Sequence, residues 1–238
     1  MTKNKNSAAV PTIDPSRSHF IRIALRTMWR LRGCCHVTRP ALPLVVRHHS
    51  LGSLRTSSTV VEIKRKLDGR EQRFELEHLG EAHDDGNERV RTLVGVWHAG
   101  AHGAFGLPAF SYSYGVWHDM SPLTVYRLHL PDGSLLRYRC DAIGSLHLSA
   151  RQVLFTDLLL DALVVPPPQH TRALPRVELE DEDEVAAATS SGMLTPHLAR
   201  RVARIRALLL NPTYVQRLIA RTDAAIDAAV RQSLSLLS

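Results

Sequence analysis

Residues 59–79, TVVEIKRKLDGREQRFELEHL, decide the fold class: two runs rich in Val, Ile, Phe and Leu flank Asp68-Gly69. An Asp-Gly pair between such runs is a strong short-range hairpin signal, because glycine takes the positive φ that a tight turn needs. The same grammar returns downstream, where LTVYRLHL (123–130) and SLLRYRCDAI (134–143) flank Asp132-Gly133. Between the two hairpins, VRTLVGVW (90–97) and YSYGVW (112–117) read as further strands. A polar loop at 81–89 and a Gly- and Ala-rich loop at 98–108 separate them. Several short strands with turn punctuation predict an antiparallel sheet, closed or nearly closed as a barrel.

The C-terminal part changes period. Asp181–Ser191 is Ala-rich behind a row of acids, which suits a helix whose first turn is negative. Thr195-Pro196 supplies an N-cap and a proline at N1 for the next helix, which ends at Asn211-Pro212. A last helix runs from there toward the C-terminus. The predicted class is therefore α+β: an antiparallel β-barrel followed by C-terminal α-helices. The organisation reads as an extension at 1–58, a barrel at 59–195 and helices at 196–238 that pack on it.

Charge divides the 238-residue chain unevenly. Residues 1–58 hold 10 Lys/Arg and one acid, Asp14, for +9; residues 59–238 hold 20 Lys/Arg and 22 Asp/Glu, for −2. The basic character thus belongs to the extension, and a body at −2 lacks the footprint of a phosphate-backbone binder. In the extension, Arg22, Arg26 and Arg30 share one helical face, with Phe20, Ile21, Ala24, Met28 and Leu31 largely opposite. An amphipathic, Arg-rich, Ser-containing, acid-poor segment has the composition of a mitochondrial transit peptide. The other reading is an unstructured tail or an over-long start, on a cytoplasmic protein. No apolar run is long enough to span a bilayer. Cys34, Cys35 and Cys140 form neither a disulfide framework nor a Cys-based zinc site.

Chemistry concentrates in TDLLLDALVVPPP (156–168) and VELEDEDE (177–184). Asp157 and Asp161 stand in an otherwise apolar run, and a buried carboxylate persists when it is paired or holds a metal. Four residues apart, they share a face on either a strand or a helix. Asp181 and Glu184 form a second pair at i, i+3. The expectation is that both pairs converge on hard divalent cations. Each has a plainer counterpart: arginine ion pairs for Asp157 and Asp161, and a negative helix N-terminus for Asp181–Glu184.

The order D-G-x-x-x-R (68–73), Y-x-C-D (138–141), D-L-L-L-D (157–161) and D-E-D-E (181–184) resembles the FomD-like barrel family over about residues 60–195. Characterised members are metal-dependent phosphohydrolases: nucleoside tri- and diphosphatases, and the hydrolase of a cytidylylated hydroxypropylphosphonate in fosfomycin biosynthesis. The resemblance implies metal ligands at Asp157, Asp161, Asp181 and Glu184, with Asp141 where the family has Asn. It also implies that Arg73 is the general acid. Leu159 stands where the family has the middle Asp of D-x-D-x-D, and a leucine binds no metal, which leaves one ion secure and a second open. The connection from Asp161 to Asp181, with Pro166–Pro168, is longer than the family's turn.

Carboxylates without His or Cys favour Mg²⁺ or Mn²⁺, which polarise phosphoryl oxygens and activate water. Lys66, Tyr114 and Trp117 are the candidate substrate contacts, although aromatics on half-buried strands are more often core. His98, His102 and His118 lack a suitably spaced fourth ligand and read as loop residues. The leading expectation is divalent-metal hydrolysis of a small nucleotide or nucleotidyl ester. The alternative, supported by Leu159, is a catalytically weakened nucleotide- or RNA-binding module of the same fold. Arg200, Arg201 and Arg204 read as a solvated helix face or a phosphate contact.

Overall fold

The computed structural model describes residues 58–84, 87–168, 171 and 173–235. The Arg-rich segment and the transit-peptide expectation lie outside them. Eight strands follow in order: β1 (Thr59–Arg65), β2 (Glu71–Asp84), β3 (Asn87–His98), β4 (Tyr112–His118), β5 (Leu123–His129), β6 (Leu135–Leu148), β7 (Gln152–Val165) and β8 (Arg176–Glu180). Three helices complete the chain: α1 (Glu182–Ser190), α2 (Pro196–Leu209) and α3 (Pro212–Ser235). No described helix is long and apolar enough to cross a membrane.

Both Asp-Gly turns form as the sequence requires. Gly69 and Gly133 each take φ 84°, and Lys66 N–H donates to the Arg70 carbonyl at 2.7 Å while Leu130 N–H donates to Ser134 at 2.9 Å. The polar stretch 81–89 departs from expectation: β2 runs on to Asp84 and β3 begins at Asn87. The Arg91 guanidinium grips both oxygens of Glu81 at 2.7 and 2.8 Å across that ladder. The polar composition belongs to paired hairpin strands, not a loop.

Every neighbouring strand pair is antiparallel, and one parallel pairing closes the cylinder: Val61–Arg65 of β1 lie beside Gln152–Thr156 of β7. Seven strands form the closed barrel. The second half of β7 takes a different partner on the same edge, where Asp161–Val165 pair with Arg176–Glu180 of β8. At the changeover β7 bulges. Asp141 of β6 faces Asp161 and Ile143 faces Asp157, so three residues of β7 stand against one of β6. Leu159, inside this bulge, adopts φ 74°, a conformation that costs a branched side chain energy.

The two faces of the sheet bury different things. Val60, Leu76, Leu93, Trp117, Ile143, Val153 and Phe155, all from strands, pack together inside the barrel. Tyr138, Cys140, Leu158, Leu160 and Ala162 point the other way and meet Ala188, Val202, Ile205 and Leu209 of the helices. α2 starts as predicted, with Leu198 N–H donating to Thr195 Oγ1 at 3.3 Å and Pro196 in the first turn. α3 lies over β3 and β4 through Ile226 and Ala229, and Asp223 accepts the Tyr138 hydroxyl at 2.7 Å.

Inside the barrel the Trp117 indole folds back over Gly115, where an added Cβ would stand 2.3 Å from the ring. Trp117 is fully buried and has no room to withdraw. Gly115→Ala should therefore cost about 1–3 kcal/mol of stability, read as a lower urea midpoint. An unchanged midpoint would show that the indole can shift.

Candidate functional site

Strand alternation places Glu62 and Lys64 of β1 on the interior face, with Arg139 and Asp141 of β6 and Asp157 and Asp161 of β7. Glu62, Lys64 and the three aspartates are all buried. Lys64 Nζ donates to Asp141 Oδ2 at 2.8 Å and lies 3.3 Å from Asp157 Oδ2. Arg139 bridges the other side, with Nε on Asp141 Oδ1 at 2.8 Å and Nη2 on Asp161 Oδ2. Lys66, just past the end of β1, reaches Asp157 Oδ2 at 2.5 Å from a partly solvent-exposed position. The second oxygen of Asp157 accepts the Leu159 N–H at 3.0 Å, so the bulge itself anchors that carboxylate.

Three carboxylates thus meet three cations in a space of low dielectric. Burial opposes ionisation of Asp141, yet the Lys64 ammonium and the Arg139 guanidinium hold its carboxyl below the ordinary carboxylate range. Asp161 goes the other way: burial and then the negative charge of Asp141 push it well above that range. Burial works against the Lys64 charge, but Asp141, Asp161 and Asp157 together keep it protonated beyond the ordinary lysine value. Behind this layer the Tyr126 hydroxyl donates to Glu62 Oε1 at 2.5 Å. Burial lifts Glu62 to about 7 despite that bond.

Asp161 Oδ1 is the exception, buried and without a hydrogen-bond partner. Asp161 pairs with Glu180 across β7 and β8, and the next residue, Asp181, lies between β8 and α1, held at φ 63° with its side chain free of any capping bond. Burial, then the charge of Glu184, raises the Asp181 carboxyl. Glu184 stands exposed on the first turn of α1. Glu182, beside it, is taken by Arg206 at 2.6 Å.

Of the five expected metal ligands, the fold brings Asp141, Asp157 and Asp161 together, leaves Asp181 half-buried at the rim and puts Glu184 in solvent. Among the described residues, no group of three or more His, Cys, Asp or Glu is placed to hold a metal ion. The inner trio does not fit a divalent cation: both oxygens of Asp141 and both of Asp157 are engaged by Lys64, Lys66, Arg139 and the Leu159 amide. At the rim, Asp161 Oδ1 is orphaned and Asp181 and Glu184 make no ion pair among the described residues, so these oxygens are uncommitted but are not gathered around one point. The plainer expectation for Asp161, an arginine partner, holds through Arg139, while Asp157 takes two lysines.

Three expected residues lie elsewhere. Arg73 sits opposite Ile63 on the outward face of β2, mostly exposed and paired with Glu71 at 3.1 Å, so the acid role read for it finds no carboxylate cluster to serve. Trp117 is sealed inside the barrel, edge-on to Tyr126. Tyr114 lies under α3, edge-on to Tyr112 and His129. Of the three cations that touch the carboxylates, Lys66 is among the expected residues and Lys64 and Arg139 are not. Their signal was period two: Glu62 with Lys64, and Arg139 with Asp141, each two residues apart on a strand.

No protein-family model matches the chain, and no curated protein matches it in sequence. Six chains of solved structures match it, two of which follow. One is a crystal structure of the phosphatase SC4828 with the non-hydrolysable nucleotide GPCP, 16% identical, with a TM-score of 0.47 over 71% of this chain and 82% of that one. The other is the complex of FomD with CDP, 12% identical, with a TM-score of 0.45 over 66% of this chain and 84% of that one.

Proposed function

We propose that the chain is a divalent-cation-dependent phosphohydrolase that acts on a nucleotide or nucleotidyl ester at the rim formed by Asp161, Asp181 and Glu184. The observation that carries the reading is the orphaned Asp161 Oδ1, a buried oxygen on the part of β7 that pairs with Glu180, the residue before Asp181. Leaving such an atom unpaired costs about 1–3 kcal/mol, and a cation of the hard, oxygen-seeking class would satisfy it. The order of motifs shared with FomD-like barrels supports the same chemistry.

In this reading Asp161, Asp181 and Glu184 would come together around one Mg²⁺ or Mn²⁺, which when bound would polarise a phosphoryl oxygen and acidify water. Lys66 and Arg139, both partly exposed beside the rim, receive the phosphate oxygens and neutralise their charge. Asp141 and Asp157 keep these cations in place without contacting substrate. Lys64 occupies the centre of the inner trio as a permanent monovalent cation. It stands in for the second ion that Leu159 also fails to ligate.

Mn²⁺ should raise the melting temperature of the wild-type protein, and Glu184→Gln and Asp181→Asn should each remove most of the rise. Phosphate release from nucleoside di- and triphosphates or nucleotidyl esters should fall at least about tenfold in the same two variants. Wild-type protein with neither metal-induced stabilisation nor phosphate release across the panel would refute the reading.

Lys64→Met removes one partner of a buried ion-pair cluster and should cost about 3–5 kcal/mol in metal-free buffer. Mn²⁺ should then restore more stability than it gives wild type, because the trio is open. A variant destabilised equally with and without Mn²⁺ would show that the trio cannot accept a metal.

Glu62 sets a pH dependence. The folded protein keeps a proton to about 7 that the unfolded chain releases near 4.5. Its contribution is therefore complete below 4.5, declines as pH rises toward 7 and is gone above it, a change of about 3 kcal/mol. Glu62→Gln should remove this decline when urea midpoints of variant and wild type are compared across pH 4.5–8. Parallel profiles would show that Glu62 ionises normally.

A further inference from the structure

Along α2, His197, Arg200, Arg201 and Arg204 fall at i, i+3, i+4 and i+7 and share one side of the helix. These four residues alone line a cavity of about 90 Å³. Among the described residues no carboxylate comes within ion-pair range of Arg200, Arg201 or Arg204, whereas Arg206, on another face of the same helix, pairs with Glu182. The arrangement is not a by-product of a basic body, since residues 59–238 carry 20 Lys/Arg against 22 Asp/Glu.

Arg201 is pre-set. Its Nε donates to the Ile143 carbonyl at 2.9 Å, which pins the half-buried guanidinium and leaves its terminal amino groups for the cavity. His197 lies in the first turn of α2, behind the Thr195 cap, where the helix dipole adds positive potential. Like charges gathered around one hollow repel each other, and an anion seated there would reverse that repulsion. Planar guanidinium forks suit the tetrahedral oxygens of a phosphate. The hollow has room for one such group, with Arg200 and Arg204 one helical turn apart for a neighbouring one.

We propose that this hollow binds the phosphate of a small phosphorylated anion, with Arg201 as the fixed contact and Arg200 and Arg204 closing on it. The site lies on a different element from the carboxylate rim and needs no divalent metal. It therefore stands whether or not the hydrolase reading does.

The test is calorimetric titration of the full chain with pyrophosphate at low salt in the presence of EDTA, which silences any metal at the rim. Saturable binding is expected, weakened at least about tenfold in the double variant Arg200→Ala/Arg204→Ala. Both positions are exposed and alanine favours helix, so the variant keeps the buried face of Val202, Ile205 and Leu209. Arg217→Ala, a charge removal elsewhere on the surface, should bind as wild type does. Absence of saturable binding by wild type would overturn the proposal, as would one affinity for all three proteins. A single-stranded RNA that binds through these arginines while pyrophosphate neither binds nor competes would replace the small anion with a nucleic-acid backbone.

Discussion

The parallel pairing of β1 with the first half of β7 is the constraint on which the rest hangs. It closes a run of hairpins into a cylinder, and it lays Lys64 beside aspartates that are 77 and 93 residues away in sequence. It also uses up the edge of β7 only as far as Thr156, which leaves the remainder of that edge to β8. The strand must bend between its two partners. The bulge at Leu159 supplies the bend, and the left-handed backbone there aims an amide at Asp157. Closure, bulge and carboxylate geometry are one structural event.

Inside that closure the electrostatics follow from pairing. Lys64, Lys66 and Arg139 contact Asp141, Asp157 and Asp161, and a paired, hydrogen-bonded set is the form in which such groups survive burial. The pairing is uneven in detail. Asp141 is gripped from both sides and stays ionised, while Asp161 keeps one oxygen unused and is burdened by its neighbour's charge. The unused oxygen lies where the barrel gives way to the acidic start of α1. The proposed site at the rim rests on this asymmetry.

The helices add a second electrostatic character to the same body. α2 buries Val202, Ile205 and Leu209 against the sheet and gathers its arginines on the exposed side. α3 is tied down by Asp223, which takes the Tyr138 hydroxyl and lies 3.3 Å from Arg127. An acidic rim and a basic hollow therefore coexist on a body whose charges nearly cancel. The near-neutral total conceals both.

Local signals carried far in this protein. The Asp-Gly turns, the Thr195-Pro196 start of α2, the acids opening α1 and the barrel class all depend on neighbours in the chain, and all were legible from it. The pairing of Asp157 with Asp161 on one face was legible for the same reason, because alternation along a strand is local. Partners brought together by closure were not. Arg73 lies four residues beyond a turn and matched a motif, yet the β1–β2 register put it outside; Lys64 matched none, and closure put it at the centre. The sequence by itself determined the barrel-and-helix class, the Asp-Gly turns and the starts of the first two helices. Only the tertiary structure decided which charges meet, because that depends on strand closure and on a bulge whose register no short window of residues encodes.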